Sequence, residues 1–170
     1  MTGPRTLRAF PIVAMVAIGL ALGACAHNTA EDLSGAYGAG AEAGAAGPGS
    51  VREFASTVGD RVFFETDSTE LTSTGQATLD KQAAWLNRYP RYTFTIEGHA
   101  DERGTREYNF ALGARRAETT KNYLIARGVS ASRIKTISFG KERPVAVCND
   151  ISCWSQNRRA VTVLAGAAGS

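Results

Sequence analysis

Between Tyr92 and Gly128 the hydrophobic rhythm of the chain changes period, and that change limits what the chain can build. From Tyr92 to Glu97 apolar and polar residues alternate strictly. Tyr92, Phe94 and Ile96 share one face and Thr93, Thr95 and Glu97 the other, as in a half-buried strand. After a polar run bounded by Gly98 and Gly104, helical spacing takes over from about Thr105 to Arg127 and ends at Gly128. At about 100° per residue, Tyr108, Leu112, Thr119, Tyr123 and Ala126 fall within roughly 40° of Leu112. Glu107, Glu118 and Lys121 fall opposite, toward water. Arg116 lies inside the apolar sector and Arg115 nearer its edge. A guanidinium keeps its proton in a protein, so one that faces a core needs something negative beside it. Asp101, on the connection feeding the helix, is the nearest candidate in sequence. On the residues alone two readings stand: a structural ion pair of Asp101 with Arg116, or an acid and a base converging on a small zwitterionic ligand.

The remaining elements fit around this unit. Arg61 to Phe64 is a short apolar run and an expected strand, and Lys135 to Gly140 and Ala160 to Leu164 supply two more. Thr72 to Arg88 reads as a helix with Leu79, Ala83 and Leu86 on one stripe. Thr72, Ser73 and Thr74 are its candidate N-caps, and Pro90 closes it. Strands alternating with helices, then two late strands, give an α/β fold class: a two-layer sandwich with helices packed on one face of a mixed four-stranded sheet. There is no internal repeat and no glycine-rich nucleotide fingerprint.

The first 24 residues have the form of a targeting segment. Arg5 and Arg8 precede an apolar run from Phe10 to Leu22, which is shorter than the roughly 20 residues a membrane span needs. Leu22-Gly23-Ala24-Cys25 resembles the lipobox of bacterial lipoproteins. That resemblance implies cleavage before Cys25, diacylglycerol on its sulfur and an acyl chain on the new amino terminus. Two or more chains anchor a protein stably where one does not. Ala26 in place of an aspartate favours the outer membrane by resemblance to bacterial sorting rules. Of 19 bases and 16 acids, Arg5 and Arg8 leave with this leader and no acid does. The near-neutral remainder argues against a nucleic-acid binder. Residues 25–50 are rich in alanine and glycine and read as a tether, with a span of roughly 25–30 Å if they behave as a coil. The folded domain is expected over 51–170.

The segment Gly98-His99-Ala100-Asp101-Glu102-Arg103-Gly104-Thr105, then Tyr108-Asn109, then Leu112-Gly113-Ala114-Arg115-Arg116-Ala117, resembles the signature of the outer-membrane-protein-A-like peptidoglycan-binding domain. Phe64-Glu65-Thr66-Asp67-Ser68 with Leu71, and Asn157-Arg158-Arg159, match the family's other blocks, so the resemblance spans Arg61 to Leu164. With the lipobox and tether, the whole chain is similar to the peptidoglycan-associated lipoproteins of the Tol–Pal envelope system. The resemblance implies a non-enzymatic, lipid-anchored protein on the periplasmic face of the outer membrane. Its ligand would be the meso-diaminopimelate side chain of the peptidoglycan stem peptide. Its partner would be the periplasmic Tol propeller protein (TolB), and its task outer-membrane constriction in cell division. Carried over by position, Asp101 accepts the ligand ammonium and Arg116 clamps its carboxylate. Asn109 bonds the ligand or braces the loop, and Asp67 and Thr105 stand at the pocket rim. For His99 a structural role is the expectation.

Cys148 and Cys153 remain after Cys25 is committed to lipid. An exported, oxidising compartment favours a disulfide between them. A redox pair or a metal site finds no support, because there is no C-x-x-C spacing and no nearby histidine. A peptidoglycan-cleaving enzyme is the rival class, built on His99, Asp101 and Glu102. The chain has only two histidines, His27 falling on the tether, and no poised nucleophile. No cofactor or metal is expected.

Overall fold

The computed structural model describes residues 47–165. The leader, Cys25 and most of the expected tether lie outside the described residues. A short helix α1 (Val51–Glu53) runs on into a turn of π-helix, Phe54–Gly59. Then follow β1 (Arg61–Phe63), α2 (Ser73–Arg88), β2 (Phe94–His99), α3 (Arg106–Ala126), β3 (Ile134–Gly140), α4 (Ile151–Asn157) and β4 (Arg159–Leu164). The four strands form one mixed sheet in the order β1-β4-β2-β3. β4 pairs antiparallel with both β1 and β2, while β2 and β3 are parallel. The α/β class and the mixed four-stranded sheet match the expectation.

The expected helix boundaries fall close to the observed ones because both caps are chemical. Thr72 and Thr105 stand outside their helices and accept from Gly75 N and Tyr108 N. The stripe of Leu79, Ala83 and Leu86 is fully buried, against Val62, Phe94, Ile96 and Leu164. Packing reaches back ahead of Val51. The Tyr92 hydroxyl and Arg91 Nη2 both donate to Gly49 O, and Ser50 is buried. β2 starts at Phe94 rather than Tyr92, and α4 has no counterpart in the expected elements. Seven residues are too few to show a period, and Asp150 caps them by accepting from Ser152 N. The Cys148–Cys153 disulfide ties this helix to the loop before it. Among the described residues no helix is long and apolar enough to cross a membrane.

The buried face of α3 differs from the expected one. It consists of Asn109, Leu112, Gly113, Arg116, Ala117, Thr120 and Leu124, so Arg116 sits nearer its centre. Tyr108, expected on the apolar face, is 44% exposed, and Ala126 is exposed as well. The rotation follows from the crossing of α3 over β2 at two glycines. A Cβ on Gly98 would lie 1.8 Å from Gly113 O, and one on Gly113 would lie 2.5 Å from Ser138 Oγ. The helix therefore presents its smallest residues to the sheet.

Candidate functional site

β2 ends at His99, and the chain turns through Asp101–Thr105 into α3. Gly104 allows the turn with φ +88°, and Lys141 Nζ braces it by donating to Glu102 O and Gly104 O. The Asn109 side chain donates to Arg103 O at 2.7 Å, which fastens the same loop from the first turns of α3.

Asp101 hangs from this turn and is nearly buried. Arg103 forks onto it, Nε to Oδ1 at 3.1 Å and Nη2 to Oδ2 at 2.7 Å, and its backbone N–H adds a bond to Oδ1. Arg158 Nη1 reaches Oδ2 at 3.3 Å from the start of β4. Burial disfavours the charged carboxylate. The Arg103 side chain, its backbone N–H and Arg158 together outweigh that effect and hold the carboxyl below the usual aspartate range.

Arg116 is fully buried, and its anchors are not carboxylates. Nε donates to Ser68 O at 2.9 Å, Nη1 to His99 O at 2.8 Å and Nη2 to Glu65 O at 3.2 Å. Those bonds use three of five N–H donors and leave two with no partner among the described residues. The Phe64 ring lies 5.2 Å from the guanidinium carbon. Burial, and then Arg158, push the guanidinium down to about 10, against the attraction of Asp101 and Asp67. It stays charged at neutral pH but is under-compensated. The structural ion pair of Asp101 with Arg116 does not form, because each is held by other partners.

The two groups nevertheless line one cleft of about 250 Å³, with Thr66, Asp67, Arg103, Gly104, Tyr108, Asn109, Leu112 and Arg158. Asp67 adopts φ 55°, an uncommon conformation outside glycine, and accepts from the Tyr108 hydroxyl. That bond raises the Tyr108 phenol above its usual range. Thr105 does not line the cleft; its hydroxyl is spent on capping α3. Arg115 does not line the cleft and is exposed. Among the described residues no group of three or more His, Cys, Asp or Glu could hold a metal ion.

Residues 63–158 match the OmpA family. The chain belongs to that family. Several of its relatives are named peptidoglycan-associated lipoproteins. The Rhizobium meliloti protein of that name is 60% identical over 165 residues, covering 96% of this chain and 92% of that protein. The Haemophilus influenzae one is 45% identical over 100 residues, covering 59% of this chain and 65% of that protein. The crystal structure of the Burkholderia pseudomallei peptidoglycan-associated lipoprotein matches with a TM-score of 0.63 at 39% identity, over 65% of this chain and 96% of that one. The C-terminal domain of Helicobacter pylori MotB shares the OmpA-family fold, with a TM-score of 0.60 at 22% identity, over 64% of this chain and 86% of that one.

Against this OmpA-family frame, Arg103, Tyr108 and Arg158 are cleft residues that the sequence did not single out for the site. Arg158 lay within the quoted Asn157-Arg158-Arg159 block, but nothing in its spacing pointed to Asp101, 57 residues away. Arg103 pairs two residues from Asp101 across a turn, a contact that neither helical nor strand periodicity displays.

Proposed function

We propose that this OmpA-family protein binds peptidoglycan without cleaving it, through the diaminopimelate side chain of the stem peptide. One observation carries the reading: a carboxylate, Asp101, and an under-compensated arginine, Arg116, line the same small cleft at the β2–α3 junction. The free end of diaminopimelate bears an ammonium and a carboxylate, the two complements. Asp101 takes the ammonium, and the spare donors of Arg116 take the carboxylate. Asn109 supports the loop through Arg103 O rather than meeting the ligand. Asp67 forms the cleft wall with Tyr108. In the same reading Cys25 carries N-acyl and S-diacylglycerol groups that hold the protein on the periplasmic face of the outer membrane. The Tol propeller protein is its partner in Tol–Pal envelope maintenance and outer-membrane invagination. The relatives' shared name supports the association with the cell wall.

Calorimetry with diaminopimelate-containing stem-peptide fragments tests the cleft. Asp101→Ala should remove binding, since losing one partner of a desolvated charge pair costs on the order of 2–5 kcal/mol. Arg115→Ala should bind like the wild type. Arg116→Ala should also abolish binding. Wild-type affinity in Asp101→Ala would remove the mechanism.

A further inference from the structure

The place on Asp101 that a ligand ammonium needs is already held by a resident cation. A carboxylate offers about four acceptor positions. At Asp101 four N–H groups fill them: the backbone N–H and Nε of Arg103 on Oδ1, and Nη2 of Arg103 with Nη1 of Arg158 on Oδ2. The two arginines are not equally fixed. Arg158 is buried and bonded a second time, through Nε, to Phe64 O at 3.0 Å. Arg103 belongs to the turn and its side chain is 40% exposed. Its guanidinium carbon lies 4.2 Å from the ring centre of Trp154. Trp154 stands on α4 and is itself fastened, its indole N–H donating to the Glu102 carboxylate while the disulfide closes the helix onto its loop. Arg103 is therefore the cation that can be exchanged, and Trp154 sets how firmly it stays.

Resting on the diaminopimelate reading, we propose that Arg103 is a specificity-determining residue: it occupies the ammonium position on Asp101, so that a ligand is held well only when it brings both an ammonium to replace Arg103 and a carboxylate to receive the displaced guanidinium. A lone ammonium, as at the end of a lysine side chain, exchanges a bidentate contact for a point-charge one and leaves Arg103 only the charge of neighbouring Glu102, whose carboxylate makes no hydrogen bond to it. A zwitterionic end replaces the contact on Asp101 and supplies a new anion to Arg103 and to the spare donors of Arg116. Discrimination then comes from the stranded charge in the wrong complex as well as from attraction in the right one.

The test is calorimetry of the purified protein with two peptides that differ in one residue, meso-diaminopimelate or L-lysine, with that residue's α-amino and α-carboxyl groups blocked as amides so that only the side-chain end differs, on wild type, Arg103→Ala and Arg103→Lys. The wild type should prefer diaminopimelate by about tenfold or more, the worth of one modest charge contact. Arg103→Ala should bring the ratio to within about threefold, chiefly by raising lysine affinity. Arg103→Lys, which keeps the charge but not the fork, should fall between them and decides the matter if the alanine variant does not fold. Trp154→Ala, outside the cleft, should shift the ratio the same way by a smaller factor. In parallel, the Asp101 carboxyl followed by NMR should titrate higher in Arg103→Ala than in wild type, with no ligand present. An unchanged ratio, or equal loss for both ligands, overturns the role given to Arg103. A wild type that binds neither peptide overturns the diaminopimelate reading instead.

Discussion

At His99 one residue serves two faces of the sheet. Its carbonyl accepts from Arg116 beneath the cleft, while its ring stacks on Phe139 at 5.6 Å. Arg143 lies 3.6 Å over the Phe139 ring, and neither ring nitrogen of His99 has a hydrogen-bond partner among the described residues. Glu97 Oε2, at 3.6 Å from Nε2, is the nearest anion. Burial, then Arg159 and Arg143, push the imidazole down to about 4 from an ordinary value of 6.5. The unfolded chain therefore takes up a proton at this residue at a higher pH than the folded one. Stability from this group is full above pH 6.5 and declines as the pH falls toward 4. At most the loss is about 3 kcal/mol. Urea denaturation between pH 7 and 4 should show this slope, and His99→Phe, which keeps an aromatic ring on Phe139, should flatten it. Equal slopes in the two proteins would dismiss the effect. Asp101 acts in a separate window: its depressed carboxyl stabilises above the ordinary aspartate value and loses that contribution as pH falls through the lower folded value.

At the scale of elements, the crossing of α3 over β2 is the joint on which the site depends, since it brings Arg116 beneath the turn that carries Asp101. A Cβ on Gly98 meets backbone, Gly113 O at 1.8 Å, whereas a Cβ on Gly113 meets first a side-chain oxygen, Ser138 Oγ at 2.5 Å. Gly98→Ala should therefore destabilise by about 3 kcal/mol or more and Gly113→Ala by less, as thermal melts of the two variants will show. A reversed order would mean that the helix, not the strand, yields at this joint. The same crossing explains what could be read beforehand. The β2–turn–α3 unit was legible because its period changes once, and the α2 stripe because Leu79, Ala83 and Leu86 fall at helical spacing. The face of α3 was misplaced because close approach selects Gly113, Ala117 and Thr120, which hydrophobicity barely weights, over Tyr108. α4 left no trace because its stability comes from a cap, a disulfide and the Trp154 contacts rather than from a periodic face. Arg116 was recognised as a buried charge. Its partners were not, because three backbone carbonyls from two distant segments have no residue type to announce them.

Across the described body, residues 47–50 lie at one end of β2 and the cleft opens at the other. Gly49 bonds Arg91 and Tyr92 just before β2 starts, and Asp101 follows just after it ends. Six residues of strand separate these poles by about 17 Å. The described residues therefore begin at the pole opposite the cleft. On the proposed reading of residues 25–50 as a tether that gives a lipid-anchored domain its reach, deleting residues 30–45 should reduce the fraction of protein that cross-links to sacculi in cells. It should leave the calorimetric affinity of the purified protein for soluble stem-peptide fragments unchanged. Undiminished cross-linking in the shortened protein would show that wall contact does not depend on this reach. A parallel loss of affinity in solution would place residues 30–45 in the binding surface itself.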